Sequence, residues 1–401
     1  MRLLLCFLPL AVLLGQPLDQ LLAGLKPEEV AKGTAFHAHG PAFLFAVESA
    51  REPKLLINDQ PGPKMKKRGK QWVAQTKLAT SRTHNFHYLV DGKRFGGRTD
   101  VMAYSEYHYL KPGVPQGKVS AKMRHTSRIY EGMVADYWIY TPSQYNAATP
   151  AAVMFWTDGE VHIDRDSGSR AANVWDNLTH EKKIPVMIQV LVSPGLQGAT
   201  RLRSVQYDSV DDRFARYVLE EILPEVAKAH NLRTDGYSRA IAGDSSGAIC
   251  ALNAAWWRTG DFARVLLRIG SFTSIQWQRR QSDGLTAKDG GEIFPYLIRK
   301  SPRKNIRIWM QDGFGDIEND HGSWPATNLA LANSLKLQGY DFKAVWGNGT
   351  HSRNGGNVEL AEELIWLWRG YDAAKTQAEF VQDPAEKDKP FYRITTLNRI
   401  E

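Results

Sequence analysis

The chain has 401 residues, of which 43% are hydrophobic and 23% charged, and carries a formal net charge of +8. This is the composition of an ordinary globular protein with room for two domains, and it excludes a disordered, collagen-like or disulfide-stapled chain. The cationic surplus admits anionic partners, but no basic stripe interleaved with aromatics is present, so nucleic acid is not an expected partner.

Residues 1–15 hold one arginine and a short apolar run, the pattern of a secretory signal cut near Gly15 or Gln16. That run is too short to span a bilayer, and no later stretch is long and apolar enough, so a secreted or periplasmic protein without a membrane span is expected. If Cys6 leaves with residues 1–16, Cys250 remains as a lone thiol and reads as a small buried filler.

Over residues 30–112, apolar runs at 42–47, 54–59, 71–75 and 85–92 alternate with turn signals and predict an all-β sandwich. The basic run 64–68 reads as a solvated hairpin tip, and Trp72, Phe86 and Tyr88 as core aromatics. His37 and His39 share a strand face without a third ligand, so no metal is expected there.

After the Pro/Gly-rich linker 112–117 the pattern changes. Residues 135–140 read as an alternating edge strand, 152–156 and 186–192 as buried strands, and 210–223 as a helix. Alternation of this kind over 118–372 predicts an α/β fold, a mostly parallel sheet with helices on both faces, followed by a tail at 373–401.

Gly243-Asp244-Ser245-Ser246-Gly247 fits the nucleophile elbow, with a short strand at 238–242 before it and small, helix-compatible residues at 248–255 after it. Ser245 is the candidate nucleophile. A serine hydroxyl needs a base, and the chain order of α/β-hydrolases puts it late. His351 stands there, between glycines and asparagines that mark a flexible turn, with a helix expected at 359–368. The acid belongs between the two. The apolar strand 306–310 leads into a loop offering Asp316, with Asp312 and Glu318 as alternatives. Oxyanion donors are expected from the N–H of Ser246 and from Gly159 and Glu160, in the turn after strand 151–156. Arg203, Asp158 and Trp324 are candidate substrate contacts. Asp316, Glu318, Asp320 and His321 match a metal cluster in composition only, and no cofactor or metal is expected.

Four segments together carry a resemblance: 155–160, 239–247, 312–316, and 349–352 leading to Trp366-Leu367-Trp368. Over roughly residues 115–370 the chain resembles the enterochelin esterase-like branch of the α/β-hydrolases, related to feruloyl esterases. The resemblance implies a serine esterase with Ser245 as nucleophile, His351 as base and Asp316 as acid, and an N-terminal immunoglobulin-like sandwich. The chain departs from the pattern at Ala248 and Thr350, where relatives often carry glycine.

The expected function is a secreted serine esterase that forms an acyl-enzyme on Ser245. Its expected partners are small-molecule or polysaccharide-linked esters, with feruloyl or acetyl groups on carbohydrate first and siderophore lactones second. The same residues also admit an inactive carbohydrate-binding protein, or an acyltransferase on the same fold. The sequence leaves the oligomeric state open.

Overall fold

Successive side chains of a strand point to opposite faces, so Phe43 and Phe45 of the all-apolar run 42–47 face a partner sheet while Leu44 and Ala46 face the other way. The computed structural model describes residues 17–280, 284–286 and 288–392, so the expected leader and residues 393–401 lie outside the described residues. Strands Ala35–His39, Ala42–Glu48, Gln71–Lys77 and Lys66–Arg68 form one antiparallel sheet in that spatial order. Gln60–Pro61, Lys54–Ile57, Arg82–Val90 and Lys93–Ala103 form the other. Phe43, Phe45, Leu55, Phe86, Tyr88 and Val101 meet between the sheets, with Trp72 at the margin. Helices Leu18–Ala23 and Pro27–Ala31 cover the outer face of the first sheet, placing Leu21, Leu25 and Val30 on Leu44, Ala46 and Val73. The basic run supplies the exposed Lys66–Arg68 arm of an edge hairpin.

A third, larger sheet runs Thr200–Arg201, Leu196–Gln197, Val134–Thr141, Met187–Val192, Ala152–Thr157, Arg239–Asp244, Arg264–Arg268, Arg307–Gly315, Asp341–Thr350. It is parallel from Met187–Val192 onward, and Val134–Thr141 is antiparallel. The strand expected at the edge is therefore interior: short strands at 118–119, 123–126 and 196–197 pair with its outer side. Every residue of Met187–Val192, Ala152–Thr157 and Arg239–Asp244 is buried, as a parallel sheet covered on both faces requires.

Ser246–Trp257, Phe294–Lys300 and Trp324–Leu337 cover one face of this sheet. Ala171–His180 and Asn354–Leu367 cover the other. The helix expected at 210–223 starts at Arg213 and passes through a π turn, Tyr217–Ile222, into Leu223–Ala227. The Leu223 N–H donates to the Val218 carbonyl, five residues back, just before Pro224, which has no N–H to donate. No helix among the described residues is long and apolar enough to cross a membrane.

Candidate active site

The strand Arg239–Asp244 ends at the C-terminal edge of the sheet, and the chain reverses at once into Ser246–Trp257. Ser245 makes the turn with φ 59° and ψ −124°, a region that non-glycine residues rarely enter. A Cβ on Gly243 would lie 2.0 Å from the Gly247 carbonyl oxygen, and one on Gly247 would lie 2.3 Å from Thr157 Oγ1. The two glycines are thus what permits so tight a reversal.

His351 occupies the junction between Asp341–Thr350 and Asn354–Leu367. The glycines around it, expected to form a flexible turn, belong instead to these elements. Gly356 serves close packing, since a Cβ there would lie 2.2 Å from Arg268 Cδ. The bare helix face admits this buried guanidinium, whose Nε donates to Glu363 at 3.0 Å.

His351 Nε2 stands 2.9 Å from Ser245 Oγ, and its Nδ1 stands 2.5 Å from Asp316 Oδ1. The Asp316 carboxylate is 0% exposed and also accepts the Ile317 N–H at 2.6 Å. An acceptor at Nδ1 fixes the imidazole proton there and turns the Nε2 lone pair toward Ser245.

Ser271, which no motif marks, extends this chain of bonds. Trp324 Nε1 donates to Ser271 Oγ at 3.0 Å, and Ser271 Oγ lies 2.9 Å from Ser245 Oγ. An indole can only donate, so the Ser271 hydrogen is left for Ser245 Oγ, and the Ser245 hydrogen for His351. Trp324, expected to contact substrate, is buried instead, with its ring edge-on to His351 at 5.8 Å.

Of the alternative acids, Glu318 is exposed on a short strand. Asp312 accepts the Gly313 N–H at 2.7 Å and braces the loop. Burial and the adjacent Asp316 push the Asp312 carboxyl up to about 9. Its surroundings thus favour the neutral form.

Asp158 follows strand Ala152–Thr157 with φ 48°, and its N–H donates to Tyr207 Oη at 3.1 Å. Gly159 and Glu160 then open a short 3₁₀ turn, Gly159–His162, and Ser246 opens the elbow helix. The first N–H groups of such turns have no intrahelical acceptor, which suits them to an oxyanion.

The Asp158 carboxylate, expected to touch substrate, is only 2% exposed. Arg203 binds it at 2.7 Å and Arg353 at 3.3 Å. Arg203 is thereby engaged as well, whereas Arg201 is 56% exposed and only 3.5 Å from Glu160 and 3.7 Å from Asp158. A cavity of about 650 Å³ opens over Ser245 and His351, lined also by Ile269 and by Arg201, Arg203 and Arg353. Among the described residues no three His, Cys, Asp or Glu side chains gather as a metal-ligand set.

No curated protein matches this chain. The solved enterobactin esterase of Shigella flexneri, determined in the presence of enterobactin, superposes with a TM-score of 0.55 at 17% identity, over 85% of this chain and 97% of that one. The ferric enterobactin esterase of Salmonella typhimurium gives 0.54 at 16%, over 85% and 98%. A ferulic acid esterase gives 0.50 at 16%, over 64% and 99%. At these identities the likeness shows the fold. The family model described as "Putative esterase" matches residues 135–367, more than half the sequence, and so the chain belongs to that esterase family, with ester hydrolysis as its general activity.

Proposed function

We propose that the protein is an exported serine esterase that hydrolyses carboxylic esters through an acyl-enzyme on Ser245. The observation that carries this reading is the chain of bonds Trp324, Ser271, Ser245, His351, Asp316, in which each hydrogen has one direction to point. In the proposed cycle Ser245 Oγ attacks the ester carbonyl carbon while His351 Nε2 takes its proton. The negative oxygen of the tetrahedral intermediate accepts from the amides of Ser246, Gly159 and Glu160. Collapse breaks the bond to the alcohol, which leaves with the proton from His351. Water then repeats the sequence on the acyl-enzyme, releases the acid and restores Ser245.

Acyl groups carried on carbohydrate remain the preferred substrates. Siderophore lactones are the second reading, favoured by the likeness to enterobactin esterases, which extends over 85% of the chain and so beyond residues 135–367. Ser245→Ala is expected to abolish p-nitrophenyl ester turnover with unchanged thermal unfolding; activity retained above background would remove the proposal. A panel of feruloyl, acetyl and catecholate lactone esters separates the two substrate readings.

A further inference from the structure

The junction that carries His351 is tied to the sandwich on both sides of the histidine. The Thr350 N–H donates to Asp100 Oδ1 at 3.0 Å. The Thr350 hydroxyl donates to Asp100 Oδ2, and so does the Ser352 hydroxyl, at 3.0 Å. Asn354 Nδ2 donates to the Asp100 carbonyl oxygen at 3.0 Å. His351 thus stands between two residues held by one carboxylate. Asp100 is 7% exposed, so water competes little for these bonds. Hydrogen bonds to an ionised acceptor are roughly twice as strong as neutral ones.

The placement of Asp100 follows from an irregularity in the second sandwich sheet. Arg82–Val90 and Lys93–Ala103 shift register between His84 and Phe86, so that Thr99 and Asp100 together face Asn85. Asp100 adopts φ 52° there, a conformation that aspartate tolerates, and Asn85 Oδ1 accepts its N–H at 3.0 Å. A bulge of this kind re-aims a side chain out of the regular pleat. Two asparagine contacts flank it: Asn348 Nδ2 donates to Asn58 Oδ1 at 2.8 Å, and Asn85 Nδ2 donates to the Asn348 carbonyl oxygen at 3.3 Å. The hydroxyl of Thr350, at the position where the sequence departs from glycine, is one of the groups that Asp100 holds.

We propose that Asp100 is a positioning residue for His351, which makes the sandwich a working part of the active site. The inference rests on the reading of His351 as the base. Asp100 touches no reacting atom. It fixes the backbone on either side of the imidazole, and with it the 2.9 Å approach of Nε2 to Ser245.

The test is steady-state hydrolysis of p-nitrophenyl acetate by the full-length protein, with thermal unfolding of each variant alongside. Asp100→Ala is expected to lower kcat about 10- to 100-fold with KM within about twofold, since a displacement near 1 Å suffices for such a loss. Asp100→Asn keeps an oxygen for the Thr350 N–H and should recover part of kcat. The double variant Asp100→Ala/Thr350→Ala should be no slower than Asp100→Ala alone, because the two residues share one interaction. Should Asp100→Ala not fold, Thr350→Ala/Ser352→Ala carries the test, with kcat expected to fall at least about fivefold at unchanged KM.

A kcat within about twofold of the parent in the folded Asp100→Ala protein, or losses that multiply in the double variant, would overturn the proposal. So would an unchanged kcat in the loop pair. Ser245→Ala, measured in parallel, keeps the two readings apart. If it is inactive while Asp100→Ala matches the parent, the positioning role alone falls; if it stays active, the serine mechanism falls first.

Discussion

Gly159→Ala offers the sharpest test of the oxyanion turn. A Cβ at this position would lie 2.4 Å from the Leu191 carbonyl carbon and 2.5 Å from both Leu191 Cα and Val192 N. Ordinary contact begins near 3.4 Å, so the turn and the strand must separate by about 1 Å, a displacement of the size that costs about 100-fold in rate. Leu191 belongs to a fully buried strand hydrogen-bonded on both sides, so the turn, where Glu160 and Val161 are only half-buried, gives way. The amides of Gly159 and Glu160 then move off the position of the developing oxyanion. Loss of one such donor lowers kcat by about 10²–10³.

Stability should fall by roughly 1–3 kcal/mol, the usual penalty for overpacking. Gly260→Ala is the control, since nothing lies within 4 Å of a Cβ there. The assay is kcat and KM for p-nitrophenyl acetate together with thermal unfolding. A folded Gly159→Ala protein with kcat within about threefold of the parent would refute the assignment of this turn.

Ser271→Ala removes the donor to Ser245 Oγ and should lower kcat about 2- to 12-fold at constant KM, the worth of one hydrogen bond of about 0.5–1.5 kcal/mol; an unchanged kcat would mean the bond does not orient the nucleophile. Asp312→Asn should raise stability increasingly as pH rises. The parent's Asp312 binds a proton on folding between the unfolded carboxyl's range near 4 and its folded value of about 9. The stability this group contributes is full below that window and is lost progressively across it, by at most about 1.4 kcal/mol per pH unit. Urea unfolding at pH 6 and pH 8 checks this, and a variant-to-parent difference that does not grow with pH would contradict it. Arg201→Ala should reduce the preference for a p-nitrophenyl ester with a terminal carboxylate over its neutral analogue by about 1.5- to 5-fold, the range for an exposed charge pair. Equal preference before and after would mean that Arg201 does not face the acyl chain.

Much of the site was legible because its logic is local. Gly243 is demanded by Gly247, four positions on, although Gly247 also answers to the distant Thr157, and the order of serine, acid and histidine follows the fold's chain order. What the sequence concealed was set by distant partners. Asp158 looked available until Arg203 and Arg353, far along the chain, closed on it. The glycines beside His351 signalled a turn by composition, yet Gly356 answers to the girth of Arg268 on another element. The strand Lys93–Ala103 escaped notice because Gly96 and Gly97 interrupt its alternation at a second register shift. Ser271 and Asp100 lie outside any motif, and only the folded chain brings them to Ser245 and to the His351 junction.

On the proposed mechanism, the backbone of Ser245 sets catalysis and durability against each other. Conformations of this kind cost about 1–3 kcal/mol for a residue bearing a side chain, and glycine adopts them freely at an entropic cost of roughly 0.5–1 kcal/mol. With φ at 59° and ψ at −124°, Ser245→Gly should therefore yield a dead protein that melts no earlier than the active one. Selection for thermal endurance alone would thus drift toward erasing the hydroxyl, and a heat-screened library of this chain should be counter-screened for turnover.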